Sequence, residues 1–88
     1  MLRKELDVRS KIGLHARPAA LFVQTANKFS SDVFVEKDTK KVNGKSIMGI
    51  MSLGVAKNEK ITIIIDGPDE EEAMESLTRL IEQTLLEY

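Results

Sequence analysis

Ile61-Thr62-Ile63-Ile64-Ile65 is the most strand-like stretch of the chain, lying between a polar turn, Lys57-Asn58-Glu59-Lys60, and a break, Gly67-Pro68-Asp69. β-Branched side chains are stiff at χ1 and fit a pleated surface better than a helix. Alternation sends Ile61, Ile63 and Ile65 to the expected core face. It sends Ile64 to the other face, where Phe34 is the expected neighbour across the sheet.

On the C-terminal side, Asp69 is the expected cap of a last helix, with Glu72 as its capping-box partner and Ala73, Leu77, Leu80, Ile81 and Thr84 as its buried stripe. Glu70, Glu71 and Glu72 complement a positive helix end, so the acidic run needs no chemical role. On the N-terminal side, Leu2, Leu6 and Val8 share one side of an alternation with Arg3, Glu5 and Asp7 on the other, which reads as a half-buried strand. Ala19, Phe22, Val23 and Ala26 recur at helical spacing, with Phe29 closing that face and Ala20, Gln24 and Asn27 opposite. Ser30-Ser31-Asp32 breaks the helix. Val33-Phe34-Val35, the turn Asp38-Thr39 and a return strand around Lys41-Val42 read as a hairpin. Asn43-Gly44 ends it, and Ser46 is the expected cap of a short helix running through about Met51 or Leu53.

The order is strand, helix, strand, strand, helix, strand, helix. If the isoleucine strand lies between the first and second, both of its neighbours run antiparallel to it. The reading is an α+β open-faced sandwich: a four-stranded antiparallel sheet of order 1-4-2-3 with three helices on one face, in one domain over residues 1–88.

Composition narrows the function. The 42% apolar and 31% charged residues belong to a folded chain, and 13 basic against 14 acidic side chains leave no electrostatic footprint for nucleic acid and no basic face for a membrane. With no cysteine and one histidine, neither a disulfide framework nor a multi-histidine metal site is available. No cofactor or metal is expected. The absence of a signal-like or membrane-spanning apolar run points to a cytoplasmic protein.

The one histidine stands in Gly13-Leu14-His15-Ala16-Arg17-Pro18-Ala19-Ala20. Gly13 allows a sharp exit from the strand, and Pro18 is tolerated only in a first helical turn, so His15 is the N-cap or its neighbour. A helix N-terminus leaves N–H groups unpartnered and carries partial positive charge, which favours an anion. The same field disfavours imidazolium and leaves a ring nitrogen free to act as a nucleophile. A phosphoryl group taken by the ring would meet the amides of Ala16 and Arg17, and the Arg17 guanidinium would balance its charge. A lone histidine is more often a surface residue or a cap, but packing alone does not require His-x-Arg-Pro at a helix start.

A second constellation is Gly44-Lys45-Ser46-Ile47-Met48-Gly49-Ile50-Met51-Ser52-Leu53. A phosphate loop needs a further glycine five positions before Gly44, where Thr39 stands, so a nucleotide site is rejected. Ser46 as a cap contributes about 1 kcal/mol. A phosphate there would add about two negative charges at the positive end of the helix. Ile47, Met48 and Met51 cannot all turn inward with Ile50 and Leu53, so part of the stretch is expected to be an adaptable apolar docking surface, against the alternative that these residues fill core gaps.

The two motifs together, at this separation, resemble HPr, the histidine-containing phosphocarrier of the sugar phosphotransferase system, and the similarity extends over essentially the whole chain. The resemblance implies that His15 receives a phosphoryl group on Nδ1 from enzyme I and passes it to the A domains of sugar-specific permeases, assisted by Arg17. Such a protein is a stoichiometric carrier rather than an enzyme. The resemblance further implies that Ser46 is the serine modified by an ATP-dependent HPr kinase/phosphorylase in Gram-positive-type bacteria, in a form that acts with a catabolite-control repressor. Docking then falls to Ala20, Gln24, Ile47, Met48 and Met51, on a protein expected to be a monomer.

Gly44 departs from the larger residue usual in relatives, which is expected to loosen the approach to Ser46. From Arg17 to Phe34 the wording resembles the family's catabolite-repression paralogue, which lacks the histidine. A purely regulatory module acting through phospho-Ser46 is therefore the main alternative. A small-ligand sensor, which should show a concave apolar pocket, is another. An RNA-binding sheet is disfavoured, because Tyr88 and three phenylalanines are the only aromatics.

Overall fold

Strand β4 (Lys60–Asp66) has hydrogen-bonded neighbours along both edges in the computed structural model, which describes residues Met1–Tyr88. β1 (Leu2–Asp7) runs antiparallel to it with Leu2 opposite Ile65 and Asp7 opposite Lys60. β2 (Asp32–Lys37) takes the other edge with Val33 opposite Ile65, and β3 (Lys40–Asn43) folds back on β2 through the Asp38-Thr39 turn. The sheet order is β1-β4-β2-β3, as expected, with helices α1 (Arg17–Ala26), α2 (Ile47–Ser52) and α3 (Glu70–Glu82) in the expected positions. None of them is long and apolar enough to cross a membrane.

The registers align Leu6, Ile61, Ile63, Ile65, Val33 and Val35 on one face. These side chains form the core with Phe22 and Ala26 of α1, Ile50 of α2 and Ala73, Leu77 and Ile81 of α3. Ile64 and Phe34 are direct partners on the opposite face, as expected, yet Ile64 is only 4% exposed. Charged side chains close over it. Arg3, opposite Ile64 in β1, pairs with Glu36 of β2 at 3.4 Å, and the Lys41 ammonium lies 5.2 Å from the centre of the Phe34 ring. Their aliphatic stems shield apolar surface that no helix covers.

Two expectations at the last helix are corrected. Thr84 is exposed, because α3 ends at Glu82 and a 3₁₀ turn over Thr84–Glu87 follows, whose tighter winding buries Leu85 instead; Met74 completes the stripe. The capping box is also absent. Asp69 stands at the cap position, but its carboxylate accepts no bond from its own helix. It accepts the Ser30 and Ser31 amides, each at 2.9 Å, and the Ser31 hydroxyl, in the turn between α1 and β2. Glu70, not Glu72, reaches back, accepting the Gly67 amide at 3.1 Å.

The Ser31 hydroxyl, followed by the Ser30 amide, holds the Asp69 carboxyl below its ordinary value of 3.8. A carboxylate lowered on folding adds stability that is complete above the unfolded value and is lost as pH falls through the folded one. Asp69→Asn is therefore expected to melt earlier than the parent at neutral pH, with the gap closing toward about pH 2. Thermal melts across pH check this, and a gap constant over the whole range would contradict it.

Candidate functional site

The pairing of β1 with β4 continues past both strands: the Val8 amide donates to the Glu59 carbonyl at 2.9 Å, and the Asn58 amide to the Val8 carbonyl at 2.6 Å. The chain leaving β1 thus runs beside the segment that follows α2. A turn over Ser10–Gly13 is closed by the Gly13 amide on the Ser10 carbonyl at 3.0 Å and by the Ser10 hydroxyl on the Gly13 carbonyl at 2.7 Å. The Leu14 amide then donates to the Val55 carbonyl at 3.1 Å. This approach requires glycine at position 13, since φ is +67° and a Cβ would stand 2.0 Å from the Val55 oxygen. Leu14 is buried, and His15 is exposed immediately after it.

Ala16 is the N-cap of α1, with Arg17 and Pro18 in the first turn, so His15 is the cap's neighbour. Ala16 holds φ +53° and ψ −121°, a conformation that costs an L-residue about 1–3 kcal/mol. No side chain caps this helix end, and the amides of Ala16, Arg17 and Ala19 have no backbone acceptor. Arg17 is exposed and forms no ion pair. The expected parts of an anion cradle, two adjacent amides and a free guanidinium beside an exposed imidazole, are therefore all at this helix end.

Ser46 caps α2, its hydroxyl accepting the Gly49 amide at 3.1 Å. Lysines tie the surrounding segment down: Lys45 Nζ donates to the Phe29 carbonyl at 2.7 Å, and Lys40 Nζ to the Ser52 carbonyl at 2.9 Å. The expectation that Gly44 loosens this region is corrected. Gly44 is buried, donates to the Val33 carbonyl at 2.7 Å, and would bring a Cβ to 2.6 Å from the Val33 side chain. Glycine here permits close packing.

The Lys45 contact with Phe29 places the start of α2 near the C-terminal end of α1, and the Leu14 contact with Val55 places the chain after α2 near its N-terminal end. The ten residues of α1 span about 15 Å. Along this helix Gln24 is exposed and Ala20 half-buried. Ile47 and Met48 are 41% and 79% exposed. Met51 is half-buried and packs against the core, so it offers less surface than expected. Ile12, which helix and strand periodicity could not single out, is 47% exposed at the tip of the Ser10–Gly13 turn.

The sensor alternative called for a concave apolar pocket. The groove between β1 and α3 has only two hydrophobic residues, Leu2 and Met74, among the nine that line it, the hollow over Gly67–Glu72 has none, and neither includes His15 or Ser46. Gly13→Ala is expected to cost about 2 kcal/mol or more, because the new methyl cannot be seated without moving the Val55 backbone. Urea unfolding measures it; a cost below about 0.5 kcal/mol would mean that the turn is not held by this approach.

Residues 2–83 match the family model described as PTS HPr component phosphorylation site. The HPr-like protein Crh of Halalkalibacterium halodurans is 58% identical over 94% of this chain and 99% of its own. The phosphocarrier protein HPr of Neisseria meningitidis is 51% identical over 92% of this chain and 91% of its own. The crystal structure of HPr-C-His from Thermoanaerobacter tengcongensis superposes with a TM-score of 0.94 at 56% identity, covering 100% of this chain and 98% of that one. Solved HPr and Crh structures include dimers. A match that runs almost from end to end, joined to relatives sharing more than half of their residues, places this chain in the HPr family of the sugar phosphotransferase system.

Proposed function

We propose that this protein is a phosphocarrier: His15 accepts a phosphoryl group from enzyme I and passes it to the A domains of sugar permeases. The observation that carries the reading is the helix end at His15, where the Ala16 and Arg17 amides are free of backbone partners and the imidazole is exposed. In the transfer, the unprotonated ring nitrogen, Nδ1 by the family resemblance, attacks phosphorus in line. A bond from phosphorus to His15 forms as the bond to the donor histidine breaks, and the donor nitrogen keeps the electron pair. Alignment and the positive cradle lower the barrier; the proton on the other His15 nitrogen stays in place.

Ser46 is the proposed regulatory site, taken by the ATP-dependent HPr kinase/phosphorylase, with the phosphoserine form binding a catabolite-control repressor. Ala20, Gln24, Ile47 and Met48 are the proposed docking surface, with Met51 beneath them. Two successive transfers need brief complexes, which suits contacts below about 1,200 Å² in total. The proposed working form is a cytoplasmic monomer, which leaves His15 open to each partner in turn.

A purely regulatory role is the second reading, favoured by the higher identity to Crh than to the Neisseria HPr. Against it stands His15, which the resemblance denies to that paralogue. Incubation with phosphoenolpyruvate and a bacterial enzyme I separates the two. The carrier reading expects one equivalent of acid-labile, alkali-stable phosphate, absent after His15→Ala. No transfer, together with ATP-dependent, acid-stable phosphate lost on Ser46→Ala, would make the regulatory reading the correct one.

A further inference from the structure

We infer that Ile12 is a specificity-determining contact for the phosphoryl-donating partner, fitting an apolar depression rimmed by carboxylates beside that partner's phosphorylated residue. The inference rests on the carrier reading and concerns the turn that leads into His15.

Three residues of chain limit the Cα of Ile12 to within about 11 Å of the Cα of His15. Direct transfer between two proteins centres their contact on the reacting nitrogen. Even a small transient interface, about 600 Å² on each side, covers a disc of about 14 Å radius. A partner seated over His15 therefore covers Ile12. The turn is also pre-organised. Ser10 and Gly13 close it with two hydrogen bonds, and Gly13 is backed against Val55, so Ile12 is held outward with 47% of its surface exposed. An apolar side chain displayed at the tip of a rigid turn pays little ordering entropy on docking. Lys11 and Arg17, both exposed, stand on either side of it along the chain and supply the charge that acidic rim groups would meet.

Position separates this contact from the other docking residues. The turn lies against Val55, at the His15 end of α1, whereas the Ser46 segment is tied to Phe29 at the opposite end. Ile12 is thus read by partners of His15 and not by a kinase acting at Ser46.

The test uses the full chain as substrate of a bacterial enzyme I with phosphoenolpyruvate, comparing the parent with Ile12→Ser and Ile12→Leu. Both are tolerated at the tip of a turn, and neither adds charge beside the phosphoryl group. Ile12→Ser is expected to raise KM about fivefold with kcat unchanged, and Ile12→Leu to restore the parent KM. Phosphorylation of Ser46 in Ile12→Ser by the ATP-dependent kinase is expected to match the parent. A KM for Ile12→Ser within about twofold of the parent overturns the proposal, as does a fall in kcat at constant KM, which would mean that the turn merely positions His15. An equal loss at Ser46 overturns it too, by showing a general disturbance. If the parent itself takes no phosphoryl group from enzyme I, the carrier reading fails and this proposal with it, an outcome distinct from any defect confined to the variants.

Discussion

The pairing of β4 along both of its edges is the constraint from which the site follows. Because β1 and β4 are antiparallel and in register to Asp7 opposite Lys60, the chain must leave β1 at the end where the post-α2 segment arrives. The Val8 bonds to Glu59 and Asn58 extend that ladder, and the Leu14 bond to Val55 ends it one residue before His15. The position of His15 is therefore inherited from a β-ladder built of core isoleucines. Its exposure comes from the same source, since Leu14 is the last side chain that the ladder draws inward.

The placement of α2 beside α1 bears on how phosphorylation at both helix ends would act. Exposed charges further apart than the Debye length, about 8 Å at physiological ionic strength, repel one another weakly. A partner whose contact area spans both positions couples them without that direct repulsion. Ile47 and Met48, next to Ser46 in sequence and well exposed, occupy the part of the surface where a new dianion would disturb such a partner most.

Much of this was legible in the residues. The isoleucine run, the helical spacing of Ala19, Phe22, Val23 and Ala26, the hairpin, the Ser46 cap and the sheet order are local or topological signals, and each was recovered. What escaped depends on distant partners. Asp69 looks like a cap because the chain next to it resembles a capping box, but its carboxylate is taken by Ser30 and Ser31, nearly forty residues away. Gly44 looked like a loss of bulk because its neighbours Val33 and Phe22 meet it only in the fold. Thr84 and Leu85 exchanged places when α3 tightened into a 3₁₀ turn, a change of one residue that periodicity cannot register. The helix ends at His15 and Ser46 were legible because their signals are local: each stands at a helix N-terminus that its own sequence announces.

A carrier has a requirement that an enzyme's covalent intermediate does not share: it must hold the group firmly enough to survive diffusion, yet give it up to the next histidine. The His15 end of α1 suits that compromise. Under the proposed reading, the two amides and the guanidinium would give a phosphoryl group on the exposed ring charge-assisted contacts worth about 1.5–3 kcal/mol each at most, weakened further by water at the surface. A buried cradle with every amide engaged would stabilise the phosphorylated state more, and would raise the barrier to onward transfer by the same amount. Pro18 limits the cradle directly, since it removes one donor from the first turn of the helix. The strained Ala16 works in the same sense, because it keeps the preceding residue outside the helix, exposed to solvent rather than folded against its own chain.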